Sequence, residues 1–253
     1  MRFVYINSFR FKKVHIITAI IGFVLILTGL KSVSAVIQAK PTTTWAVANQ
    51  VIVIDPGHGG IDPGALGHNG IKEKELVLQV AKQLDQLFSQ AGAKVLLTRE
   101  TDKDLSTSGS GSLLQRKRED LANRVELANK NKASLYLSIH VNAFPSTRWH
   151  GAQTFYQRDQ DDSKMLAEAI QSELIRILGN TNRAAKAENF YTTRKTNMAA
   201  VVIEVGFISN PTEAKLLSDA AYQRKLASGI YSGVVKYYKD QLAEQNKPKK
   251  EAR

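Results

Sequence analysis

The sequence predicts an α/β fold, a mixed and largely parallel sheet covered by helices on both faces in a single domain. Three observations predict it: short unbroken apolar runs rich in β-branched residues, stretches of helical spacing between them, and the regular alternation of the two. The run VIVI at 51–54 stops at Asp55-Pro56-Gly57, as a buried strand ending in a turn would. AKVLLT (93–98), SLYLSIHV (134–141), AQTFYQ (152–157) and AAVVIEV (199–205) have the same character. The clearest helix covers 73–90, where Leu76, Val80, Leu84, Leu87 and Phe88 recur at three- and four-residue steps and Gly92 offers a C-terminal cap. Further helices are expected at about 113–130, 162–178 and 219–242. There is no internal repeat, and the STSGSGS patch at 106–112 reads as a surface loop.

The chain has 253 residues, of which 43% are hydrophobic, enough to bury a sizeable core and to exclude disorder over most of its length. The net charge of +12 is concentrated at the ends: residues 1–35 contribute five bases and no acid, and residues 243–253 four bases against two acids, which leaves +5 on 36–242. That body has neither a long basic run nor interleaved aromatic and basic residues, so nucleic-acid binding is not expected. The absence of cysteine excludes disulfides, thiolate metal sites and cysteine nucleophiles. Residues 14–30 form an apolar stretch behind four basic residues. Either a signal peptide or a spanning membrane anchor is consistent with that order, and both export the remainder of the chain, leaving it anchored outside the cytoplasm or secreted. The expected organisation is a signal or anchor at 1–35, a linker at 36–49, a catalytic domain at 50–242 and a charged tail at 243–253.

The strand ends carry the chemistry. The first strand runs into Asp55-Pro56-Gly57-His58-Gly59-Gly60, the third contains Ser138-Ile139-His140-Val141-Asn142, the last contains Ile203-Glu204-Val205-Gly206-Phe207, and Glu73 opens the first helix. Ligands of open α/β sheets bind beyond the carboxyl ends of strands, so these side chains can converge there. Two histidines and a carboxylate, with a position left for water, make the ligand count of a catalytic zinc site. A further carboxylate held off the metal would serve as general base and acid. Glu204, inside AAVVIEVGF, would be buried, which is costly for a carboxylate without a partner or a task. Asp55 and Asp62 read as turn formers, and the glycines of 57–70 as a close-packed loop over the site. Ser138 lacks the turn of a nucleophilic serine. Trp149 suits either a sugar ring or its own loop, and Arg99, Arg116, Arg118 and Arg124 read first as solvated or helix-face charges.

IDPGHGG at 54–60, GIKEKELVLQVA at 70–81, TRETD at 98–102, RVELAN at 124–129, SIHVNA at 138–143 and VIEVGFISNPTEAKLL at 202–217, in that order, resemble the zinc-dependent N-acetylmuramoyl-L-alanine amidases. The resemblance covers nearly all of 50–240 and implies cleavage of peptidoglycan between the lactyl group of muramic acid and the stem peptide. It implies Zn2+ as cofactor, His58, Glu73 and His140 as its ligands, and Glu204 as the catalytic glutamate. Within the family, the text from TRETDKDLS to SIHVNAFPSTRWHGAQTFY is most similar to the amidases that bacilli and clostridia use on spore cortex, where removal of the stem peptide precedes formation of muramic-δ-lactam. The implied partners are peptidoglycan glycan with its stem peptides and a membrane through residues 14–30, with an accessory protein left open. Two other readings stand beside this one: an exported zinc peptidase acting on stem peptides, and a non-catalytic wall-binding homologue that would have lost a ligand or Glu204.

Overall fold

The computed structural model of the chain describes residues 46–107 and 111–246. The expected signal or anchor, most of the linker and most of the charged tail lie outside the described residues. No helix among the described residues is long and apolar enough to cross a membrane.

Six strands form one sheet: β1 (Val51–Pro56), β2 (Lys94–Leu97), β3 (Leu135–Asn142), β4 (Gln153–Tyr156), β5 (Lys186–Ala187) and β6 (Ala199–Phe207). Their order is β2-β1-β3-β6-β4-β5. The first four positions are mutually parallel, and β4 runs antiparallel to β6. The helices are α1 (Glu73–Gln90), α2 (Leu113–Lys130), α3 (Asp161–Leu178), the short α4 (Tyr191–Lys195) and α5 (Pro211–Leu217), and α6 (Ala220–Gln245).

Alternation along the central strands feeds two cores. Ile52 and Ile54 of β1 and Leu135, Leu137 and Ile139 of β3 face the larger one, with Leu76, Val80, Leu84 and Phe88 of α1, Leu166 and Ile170 of α3, and Ile230 and Val234 of α6. Val53, Tyr136 and Ala200 point to the other face, against Ala128 of α2. Both faces of the sheet are therefore covered, as expected for strands without an alternating polar pattern. α3 and α6 approach closely because Gly233 presents no side chain: a Cβ there would stand 2.4 Å from the backbone of Ile170.

The ends of the helices follow their caps. Gly92 takes φ +83° just beyond α1, and Gly179 takes φ +66° beyond α3, both in the left-handed region that stops a helix. Ser112, Asn210 and Asp219 accept the free N–H groups that open α2, α5 and α6. Val47, near the end of the expected linker, is fully buried in the larger core, and Asn49 N–H donates to Gly92 O, so residues 46–49 pack as part of the domain. β5, α4 and α5 are too short to show a periodicity and were not expected from the sequence.

Candidate active site

The chain leaves β1 for β2 on one side and returns to β3 on the other, so the β1/β3 boundary is the switch point of the sheet, where a crevice forms at the carboxyl ends. His58 follows β1 directly, His140 lies near the end of β3, and Glu204 is its partner in the neighbouring β6. Glu73 is the first residue of α1.

Three of these side chains meet. Glu73 Oε1 lies 3.2 Å from His58 Nε2 and 3.0 Å from His140 Nδ1, and one ligand atom from each residue falls within 4.8 Å of the other two. The imidazoles stand edge to face, 5.0 Å between centroids. Glu73 is 3% exposed and also accepts from Ala65 N–H and Val141 N–H. Burial works against its charge, but the hydrogen bonds from His140 and His58 hold its carboxyl well below the usual range. Burial likewise works against an imidazolium at His58, yet the hydrogen bonds to Asp62 and Glu73 outweigh it and push His58 up to about 9.

Glycines make the cluster compact. A Cβ on Gly57 would stand 2.2 Å from the His140 ring, and one on Gly64 2.7 Å from Glu73 Oε2. His58 itself adopts φ +61°, a conformation few non-glycine residues hold. Two buried arginines fix it there. Arg124 Nη2 donates to His58 O at 2.6 Å and its Nη1 to Pro56 O, while Arg99 donates to Pro56 O and Gly57 O. Both are 1% exposed, so the solvated charges expected at Arg99 and Arg124 are instead internal clamps on the loop. Arg124 also pairs with Asp55 at 2.7 Å, and Asp55 accepts from Thr98, Tyr136 and Ser138. Asp55 thus anchors a buried network rather than forming a turn, and Ser138 is consumed in it as a strand residue.

Asp62 does more than shape its turn. Besides accepting from Gly64 N–H, it accepts from His58 Nδ1 at 2.9 Å, and Lys117 Nζ lies 3.0 Å away. A carboxylate behind a ring nitrogen fixes which nitrogen is free, a role no local pattern in the sequence announces.

Glu204 stands apart from the trio. Its Oε2 is buried and has no hydrogen-bond partner. Burial pushes its carboxyl up to about 7, against the pull of His140. Beside it opens a cleft of about 500 Å³, walled by Phe144, Trp149, Arg183 and Phe207. Phe207 N–H is donated to Glu213, which also accepts Gly151 N–H and ties the 143–151 loop to β6.

A cluster of two imidazoles and a carboxylate, beside an unpartnered carboxyl with a near-neutral pKa, suits metal-assisted hydrolysis. The family model for N-acetylmuramoyl-L-alanine amidase matches residues 52–236. The chain belongs to the N-acetylmuramoyl-L-alanine amidase family. It is accordingly an enzyme, an amidase. Similar proteins include the germination-specific N-acetylmuramoyl-L-alanine amidase of Bacillus subtilis, 40% identical over 90% of this chain and 96% of that protein. The amidase LytC of the same organism is 36% identical over 84% of this chain but only 42% of its own longer one. Among solved structures, the CwlD amidase of Clostridioides difficile in complex with the GerS lipoprotein matches with a TM-score of 0.74 and 41% identity, over 76% of this chain and all of that one. The mixed sheet with helices on both faces is thus the fold of this amidase's relatives.

Proposed function

We propose that this amidase hydrolyses the bond between the lactyl group of N-acetylmuramic acid and the L-alanine of the stem peptide in peptidoglycan, with zinc held by His58, Glu73 and His140. The observation that carries the reading is the convergence of those three ligand atoms beside the unpartnered Oε2 of Glu204. The donor set fits: two imidazoles and one carboxylate, no thiolate, with glycines where the ligands approach most closely. Zinc in that set supplies Lewis acidity that activates water and polarises a carbonyl.

The protein's own groups supply the rest. Asp62 keeps the proton of His58 on Nδ1 and so presents Nε2 as a ligand. Glu204 takes a proton from the attacking water and returns it to the departing amine of the peptide, which cannot leave unprotonated. A carboxyl near 7 can do both at neutral pH, and a divalent cation on the three ligands would draw its pKa down toward the base form. No serine is required.

Spore cortex, and a step toward muramic-δ-lactam, is the substrate context we infer, supported by similarity to a germination-specific amidase over nearly the full length of both chains. Residues 1–35 would export the domain, which is then either held at the membrane through 14–30 or secreted, and the neighbour in complex with a lipoprotein favours an accessory partner of that kind. Digestion of purified cortex glycan by the zinc-loaded protein, read by mass spectrometry, tests the reaction: glycan stripped of intact stem peptide is expected. Cleavage inside the peptide would install the peptidase reading instead, and no cleavage with full zinc loading would favour a wall-binding role.

A further inference from the structure

Arg183 is the cation that the cleft beside Glu204 holds in a fixed pose; it makes no direct ion pair among the described residues, although its charge is felt by Glu213. Its guanidinium lies over two rings, 5.5 Å from the centroid of Trp149 and 4.8 Å from that of Phe207. Nε donates to His150 O at 2.9 Å and Nη1 reaches Gln153 Oε1 at 3.4 Å, while Nη2 has no acceptor among the described residues. The nearby carboxylate of Glu213 is spent on Gly151 N–H and Phe207 N–H. The other cation of the cleft, Lys186, is solvent-exposed and lies 3.6 Å from Glu188. Gln153, which Arg183 reaches, is the register partner of Glu204 across β4 and β6, so it lies one strand spacing, ~5 Å, from the strand that carries the proposed proton-transfer group.

A planar fork, pinned by stacking and one backbone hydrogen bond with its outer edge open, is a preformed receptor for a carboxylate. We propose that Arg183 recognises a free carboxylate of the stem peptide and so makes this cleft the peptide side of the site. The inference rests on the amidase reading. The chemistry of that substrate assigns the anion: N-acetylated sugars carry no charge, and the lactyl carboxyl is tied up in the scissile amide. A carboxylate offered to Arg183 therefore belongs to the peptide. The arginines weighed from the sequence do not line this cleft: Arg99 and Arg124 are buried under the His58 loop, Arg116 pairs with Asp104, and Arg118 is solvent-exposed on α2. Arg183 lies in an irregular loop where no pattern marks it.

Two muramoyl peptides that differ only in the second residue, D-isoglutamate with a free carboxylate or D-isoglutamine with its amide, supply the test with full-length zinc-loaded enzyme. The wild type is expected to favour the free carboxylate by about tenfold or more in kcat/KM, through KM, as a charged hydrogen-bonded pair would. Arg183→Met, which keeps the stacking length, is expected to bring the ratio of the two kcat/KM values down to about one; Arg183→Lys, with charge but no fork, should retain only part of the preference. Equal rates on both substrates in the wild type, or an undiminished preference in Arg183→Met, would overturn the inference. Should Arg183→Met not fold, Arg183→Lys decides by the same ratio. A zinc-loaded wild type that releases peptide from neither substrate would overturn the amidase reading and this inference with it.

Discussion

His58 Nδ1 and Asp62 Oδ2 lie 2.9 Å apart, on the side of the ring opposite to Glu73. Asp62 is held ionised, first by that hydrogen bond from His58, so it can only accept and His58 Nδ1 must donate. The pair therefore fixes Nε2, which faces the cluster, as the nitrogen that yields its proton to a metal. Asp62→Asn should weaken zinc binding by roughly 10- to 100-fold, the usual cost of losing a carboxylate behind a ligating histidine, with the fold retained. Chelator competition measures it; unchanged affinity would show that Asp62 only shapes its turn.

The pH dependence of metal binding follows from the same pair. Because Asp62 and Glu73 push His58 up to about 9, the metal-free protein carries a proton on this ring at neutral pH, which an incoming cation must displace. Apparent zinc affinity should thus fall by about tenfold for each pH unit below 9 in the range where Glu73 stays ionised. Titration from pH 9 to pH 6.5 with a metallochromic chelator checks the slope. A flat profile would mean that His58 is neutral before zinc arrives.

Glu204→Gln separates catalysis from structure. It should keep zinc and lose hydrolysis by about 10²- to 10⁴-fold, because an amide cannot carry the proton. Its stability has the opposite sign. A carboxyl raised from 4.5 to about 7 by burial destabilises the folded state as pH climbs between those values, by at most about 3 kcal/mol. The metal-stripped variant should therefore melt above the metal-stripped wild type at pH 7, and the gap should close toward pH 4.5. Calorimetry at the two pH values decides the matter, and a gap independent of pH would rule out burial as the cause.

Arg124→Met leaves Asp55 buried without its cation, and breaking such a pair costs about 3–5 kcal/mol. The same substitution frees His58 O, so zinc affinity should fall together with the melting temperature. Asp55→Asn removes the charge but not the grip on His58 O, and should lower stability with less effect on zinc. Equal zinc losses in the two variants would argue that the clamp on His58 does not matter.

Gly57→Ala should abolish zinc binding at modest cost to the remainder of the domain, since its Cβ would meet the His140 ring at 2.2 Å. Gly233→Ala should do the reverse: its Cβ meets the backbone of Ile170 at 2.4 Å, which forces α3 and α6 apart and lowers the melting temperature far from the site. Melting curves with and without zinc distinguish the two.

Local pattern made much of this protein legible. Apolar runs and three- and four-residue spacings mark all the long elements, because burial on a strand or a helix face imposes a period within a few residues. The same logic located His58, His140 and Glu204 at strand ends and Glu73 at a helix start, and strand ends in such sheets point to one edge. What the periods do not encode is which distant segments touch. The reversal of β4, the order β2-β1-β3-β6-β4-β5 and the short β5, α4 and α5 arise from sheet pairing and loop closure. So do the partners of the polar residues: Arg124 meets Asp55 across 69 positions, and Arg183 meets Gln153 across 30. Asp62 meets His58 only four positions away, but the left-handed turn at His58 that brings them together is held by Arg124 from α2. A charged side chain carries no periodic signature of its own, so whether it is solvated, clamps a loop or faces substrate was decided only when the chain closed around it.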